Sequence, residues 1–104
     1  MNDHISKRSG TSFKGYLLAT YQDLVQLFGE PITDTDNYKV DAEWIIDTPH
    51  GVATIYNYKD GKAYLGDKGT PIEAICEWHV GGKSMAAYSW VKKQVCDYTI
   101  NSIA

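Results

Sequence analysis

The chain has 104 residues, a formal net charge of −3 and 43% hydrophobic residues, which fits one globular domain with a single modest core. The acidic balance argues against a general nucleic-acid binder, which carries a basic face. No apolar run approaches the ~20 residues that cross a bilayer. The polar opening MNDHISKRSGTS lacks the apolar stretch of a secretion signal, so the protein is expected in the cytoplasm, with Cys76 and Cys96 as reduced thiols.

Residues 1–12 read as a flexible arm and 13–100 as a single domain. Phe13 to Ala19 can form a short strand running directly into a helix. Thr20 is a good N-cap with Asp23 three residues on, and Tyr21, Leu24, Val25 and Phe28 follow helical spacing. Gly29 stops that helix and Pro31 prevents its resumption. A polar connection, residues 33–37, leads to the hairpin YKVDAEWIIDTPHGVATIYNYK at 38–59. Its first strand places Val40, Ala42, Trp44 and Ile46 on one face and Lys39, Asp41, Glu43 and Asp47 on the other, with Ile45 the exception. Pro49 and Gly51 supply the turn. In the return strand, 52–58, Val52, Tyr56 and Tyr58 compete with Ala53 and Ile55 for the inside.

Glycines make 59–71 a loop, with room for a short strand at Ala63, Tyr64 and Leu65. The last strand is expected over 72–80, with Ile72, Ala74, Cys76, Trp78 and Val80 facing the core and Glu73, Glu77 and His79 facing out. Gly81-Gly82 breaks it, Ser84 caps a second helix, and Tyr88, Val91 and Val95 form that helix's inner stripe. The expected fold is α+β: a small antiparallel sheet of three to four strands with two helices on one face.

No catalytic set is apparent, and the protein is expected not to be an enzyme. Cys76 and His79, three apart in a strand, point to opposite faces, so neither a metal site nor a Cys-His nucleophile is indicated, although His50 offers a partner from another strand. Asp41, Glu43, Glu73 and Glu77 on outer strand faces could meet as acid and base, but a solvated sheet face looks the same. Gly81-Gly82-Lys83-Ser84 before a helix lacks the upstream glycine of a phosphate loop, where Glu77 stands instead. The simpler reading is a turn and a cap. The alternative is an anion site at the helix start using Lys83 and Ser84, by which the protein would sequester a nucleotide or signalling molecule.

Eight tyrosines and three tryptophans exceed what so small a core needs. Trp44 and Trp78 are expected inside, under the helix carrying Leu24 and Phe28. Tyr56, Tyr58 and Tyr64 are the candidates for a protein interface, where large rigid rings with a polar tip are favoured.

The strings TYQDLVQLFGEP, YKVDAEW, GVATIYNYK and EWHVGGKS together resemble a group of small proteins encoded by tailed bacteriophages and prophages, over about residues 13 to 95. The resemblance implies a setting rather than an activity. Proteins of that size and origin frequently inhibit host enzymes or defence systems, anti-CRISPR proteins among them. Together with the acidic balance, the lack of an apolar run and the lack of a catalytic set, that setting leads to the expectation of a cytoplasmic inhibitor that binds a host or defence-system protein stoichiometrically, with no cofactor and no membrane, with nucleic acid disfavoured, and with a second copy of the chain as a further partner class.

Overall fold

A computed structural model describes residues 10–33 and 39–103. The expected arm and polar connection lie largely outside the described residues. The elements are β1 (Ser12–Leu18), α1 (Tyr21–Phe28), β2 (Glu43–Thr48), β3 (Gly51–Tyr56), α2 (Lys62–Leu65), β4 (Glu77–Gly82) and α3 (Met85–Ile103), with 3-10 turns at Gly66–Lys68 and Ile72–Ala74. The four strands form one antiparallel sheet in the order β1-β4-β3-β2. The fold is α+β, as the patterning predicts.

Helix α1 starts where its cap requires. The Thr20 hydroxyl accepts from the Asp23 N–H at 3.0 Å, and Gly29, at φ 88, ends the helix with its N–H on the Val25 carbonyl. Helix α3 is capped by Ser84, which accepts from the Ala87 N–H at 3.1 Å. The hairpin turn is closed by Thr48, which accepts from the His50 N–H and donates to the Gly51 carbonyl. Gly51 sits at φ 108, a region that suits glycine.

One face of the sheet packs under α1 and α3. Leu17, Trp44, Ala53, Ile55, Trp78 and Val80 meet Leu24, Ala87, Val91 and Val95 there. Trp44 and Trp78 are 3% and 0% exposed and pack edge to face with centroids 5.3 Å apart. Each indole N–H is satisfied at the edge of the core, Trp44 on the Gly29 carbonyl at 2.7 Å and Trp78 on the Ala19 carbonyl at 2.9 Å. The rings therefore fill the core and also fasten both ends of α1 to the sheet.

Three expectations are corrected. Strand β4 begins at Glu77 rather than Ile72, because residues 72–74 close a 3-10 turn whose end hydrogen bond runs from Ile75 N–H to Ile72 carbonyl. That turn shifts the phase by one residue, so Ile75 is buried and Cys76 is exposed. Gly81 and Gly82 do not break β4 but continue it, paired with β1 and β3. Residues 62–65 form a helical turn, not a strand, and add a third helix to the two expected.

Candidate functional site: the outer face of the sheet

Strand alternation sends the side chains between the core residues to the face opposite α1 and α3. The register sets Tyr56 beside both Glu43 and His79, and His79 beside Tyr16. A bulge in β1 completes the group. The pairing shifts between Phe13 and Gly15, so Phe13 and Tyr16, which would face opposite sides of a regular strand, both point outward. The imidazole of His79 is consequently ringed by aromatics, with centroid distances of 5.0 Å to Tyr16, 5.4 Å to Phe13, 5.5 Å to Tyr56 and 5.6 Å to Tyr58. These five residues line a cleft of about 390 Å³. Phe13, Tyr16 and Tyr58 are 48%, 52% and 38% exposed.

A second cleft of about 250 Å³ adjoins it and shares Phe13, Tyr56 and Tyr58. Its lining includes Glu43 and Thr54, both buried, and Gly81. Glu43 is fixed from both sides of β2: it pairs with Tyr56, and its backbone exchanges hydrogen bonds of 2.8 and 2.9 Å with Ile32.

Titration behaviour follows from burial. Desolvation pushes the Tyr56 phenol above its usual range, helped by the negative charge of Glu43 and then by Tyr58. His79 is pushed below its ordinary 6.5 by desolvation, against weaker opposing effects of Asp60 and Glu77. It is therefore neutral at neutral pH. Its Nδ1 is buried with no hydrogen-bond partner among the described residues, so nothing there orients it as a general base. The face offers ring area and one buried carboxylate.

The cleft rim is held by a residue that sequence reasoning passed over. Asn57 is fully buried. Its Oδ1 accepts from the Asp41 and Ala42 N–H groups at 2.7 and 3.1 Å. Its Nδ2 donates to the Asp41 and Asp60 carboxylates at 2.8 and 3.0 Å. All of its usual hydrogen-bonding capacity is spent. Asp41 in turn accepts from Ala63 N–H at 3.0 Å, anchoring the turn of α2. Gly61 lets this happen, because a Cβ there would collide with the Asp41 carboxylate.

Of the predicted interface residues, Tyr56 and Tyr58 join the cluster. Tyr64 lies on α2 and lines neither cleft; it is linked to Tyr58 through Lys59, whose ammonium lies 5.3 Å from the Tyr58 ring centroid and 5.8 Å from that of Tyr64. Phe13 and Tyr16 were missed, since only Gly15 inside the strand pattern hinted at a bulge. The four carboxylates do not gather: Asp41 is a loop clamp, Glu43 lies in the cleft, Glu73 lines a separate cleft with Tyr21 and Glu30, and Glu77 starts β4. His50 is not brought to Cys76, because its carbonyl accepts from Ser84 beyond the far end of β4. At the start of α3 the Ser84 hydroxyl is used in its cap and in that bond, and Lys83 is exposed beside Gly10 and Gly51.

A larger groove of about 560 Å³ runs between β1 and α3, lined by Leu17, Leu18, Val95, Cys96 and Ile100 among others. The aromatic face is the better candidate because rings and titratable groups with displaced pKa values converge there. Among the described residues no three His, Cys, Asp or Glu side chains are placed to hold a metal, and no helix is long and apolar enough to cross a membrane. Comparison with protein-family models, curated proteins and solved structures finds no match.

Proposed function

We propose that the protein acts without chemistry, by stoichiometric binding of another protein, and that its contact surface is the outer face of the sheet centred on His79. The observation that carries this reading is the convergence of Phe13, Tyr16, Tyr56 and Tyr58 around one imidazole. Hot spots at protein interfaces are enriched in such rings. Phe13 and Tyr16 are set on β1 and Tyr56 on β3, with Tyr58 two residues past the end of β3. Rings held on strands need little ordering on association, which lowers the cost of binding. The resemblance to small phage and prophage proteins points to a host enzyme or defence protein in the cytoplasm as the partner.

The test begins with tagged protein as bait in bacterial lysate and continues with the captured partner in purified form. Tyr16→Ala and Tyr58→Ala are expected to weaken its binding by about 2 kcal/mol or more, roughly thirtyfold, in calorimetric titration. Melting temperatures should stay near wild type, because both side chains are exposed. Unchanged affinity in both variants would remove this face from the interaction.

A further inference from the structure

We propose that two copies of the chain join edge to edge through β1, antiparallel and centred on Leu17, so that their sheets become one. The proposal goes beyond the partner-binding reading and does not depend on it.

Among the described residues no strand lies on the far side of β1. The pairing fixes which of its backbone groups are open. Ala19 N–H donates to the Cys76 carbonyl at 2.9 Å, and hydrogen-bonded pairs recur at every second residue of an antiparallel ladder. Leu17 therefore bonds with Trp78, whereas the N–H and C=O groups of Tyr16 and Leu18 point away from β4. The bond from the Tyr88 hydroxyl to the Tyr16 carbonyl fits that direction. Open groups on an edge strand are a template for another strand. The side chains agree, since Leu18 is 75% exposed and Ile100, across the groove on α3, is 59% exposed. Apolar surface left in water in this way marks an interaction site.

Self-complementarity identifies the second strand as another β1. A two-fold axis at Leu17 sets Tyr16 opposite the second copy's Leu18 and Gly15 opposite its Ala19, so apolar side chains meet and no like charges face each other. Each Tyr16 N–H then reaches the opposite Leu18 carbonyl, using groups that the pairing with β4 leaves open. Lys14, the charged residue of β1, falls opposite Thr20, beyond the end of the other strand.

The charges of the groove follow the same symmetry. Lys92 and Glu77 are both exposed and both line it. Lys92 lies over the ring of Tyr88, which is fastened to Tyr16, whereas Glu77 is in register with Leu18. The axis lays the Tyr16 end of one copy against the Leu18 end of the other, which brings each lysine toward the second copy's glutamate. A foreign strand would have to match both the apolar register and this charge order.

Sedimentation equilibrium of the whole chain over about 5–500 µM should show a monomer–dimer transition. Hydrogen exchange by NMR then identifies the surface. The Tyr16 and Leu18 amides should exchange about twofold or more slowly at about 500 µM than at about 50 µM, while the Leu17 amide, bonded to β4, stays unchanged. Leu18→Lys, at an exposed position, should weaken dimerisation about tenfold or more. Lys92→Glu and Glu77→Lys should each weaken it about fivefold, and the double variant should return to wild-type affinity, which a merely structural effect of either change would not allow. A chain that stays monomeric to about 500 µM would overturn the proposal. So would a dimer whose Tyr16 and Leu18 amides ignore concentration, or a double variant no better than the single ones. The exchange measurement uses wild type and decides even if a variant does not fold. Tyr58→Ala lies away from β1 and reports on partner capture alone. A monomeric chain whose capture still depends on Tyr58 would sink only the dimer, and a dimeric chain with capture unchanged in both tyrosine variants would sink only the outer-face reading.

Discussion

Asn57 and His79 are polar residues set in or beside the sheet, and they behave in opposite ways. Asn57 is fully bonded, so removing it should be expensive. In Asn57→Ala the Asp41 and Ala42 N–H groups lose their acceptor, and two carboxylates lose a donor. The expected loss is about 3 kcal/mol or more in denaturant unfolding, since each stranded buried group costs about 1–3 kcal/mol; a loss within experimental error would mean that water replaces every bond. His79 is the under-bonded case. Burial holds its folded-state pKa below 6.5, so the unfolded chain takes up the proton first. Its contribution is intact above about pH 6.5 and declines as pH falls through that value toward the folded pKa. Wild type should therefore lose stability relative to His79→Phe between about pH 7.5 and about pH 5. Parallel curves would show that the surrounding ring faces, which favour a cation, offset the desolvation. Lys83, exposed at the start of α3, separates binding modes: Lys83→Glu should leave partner capture unchanged, whereas capture of an anionic small molecule at that helix start would not survive it.

At the level of elements, the core tryptophans carry the largest consequence. Trp44→Ala removes the ring that packs on Trp78 and Tyr21 and the bond that secures the end of α1. A cost of about 3–5 kcal/mol is expected in chemical unfolding; a melt like wild type would mean that α1 is held by other contacts. Much at this scale was legible in the sequence, because α1, the hairpin and α3 each combine a clear period with its own cap or turn residue. The ambiguity of the return strand resolves with Ala53 and Ile55 inside, where Ile55 sits between Trp44 and Val80 in register. What failed was the stretch before β4. Ile72 and Ile75 are spaced for a turn of 3-10 helix, while Ile72, Ala74 and Cys76 mimic a strand, and local periodicity does not choose between them. The site was half visible. Alternation exposes Tyr56, Tyr58 and His79, but Phe13 and Tyr16 share their face only through a bulge that depends on pairing with a strand some sixty residues away.

Taken as a whole, the molecule divides its aromatics between two jobs on two sides of one sheet. The tryptophans and Tyr21 hold the helices, and the rings around His79 face outward. Tyr88 does a third job. Its hydroxyl donates to the Tyr16 carbonyl at 2.8 Å, in space that Gly15 leaves free, since a Cβ there would collide with that hydroxyl. Strand β1 lies at the edge of the sheet, and an unpaired edge carbonyl invites another chain. Tyr88→Phe should cost about 1 kcal/mol and raise the tendency to self-associate in light scattering. The strand order carries a different consequence, in time rather than space. Among the described residues β1 pairs with β4 alone, so this early strand must wait for the late one. During synthesis the β2–β3 hairpin can close by itself, while Phe13, Tyr16 and Leu18 remain unpaired until residue 82 has emerged. Long-range pairing of this kind slows folding, and an incomplete chain presents its stickiest strand without a neighbour. Production rate and chaperone supply should therefore limit the yield of this protein more than the stability of the finished fold.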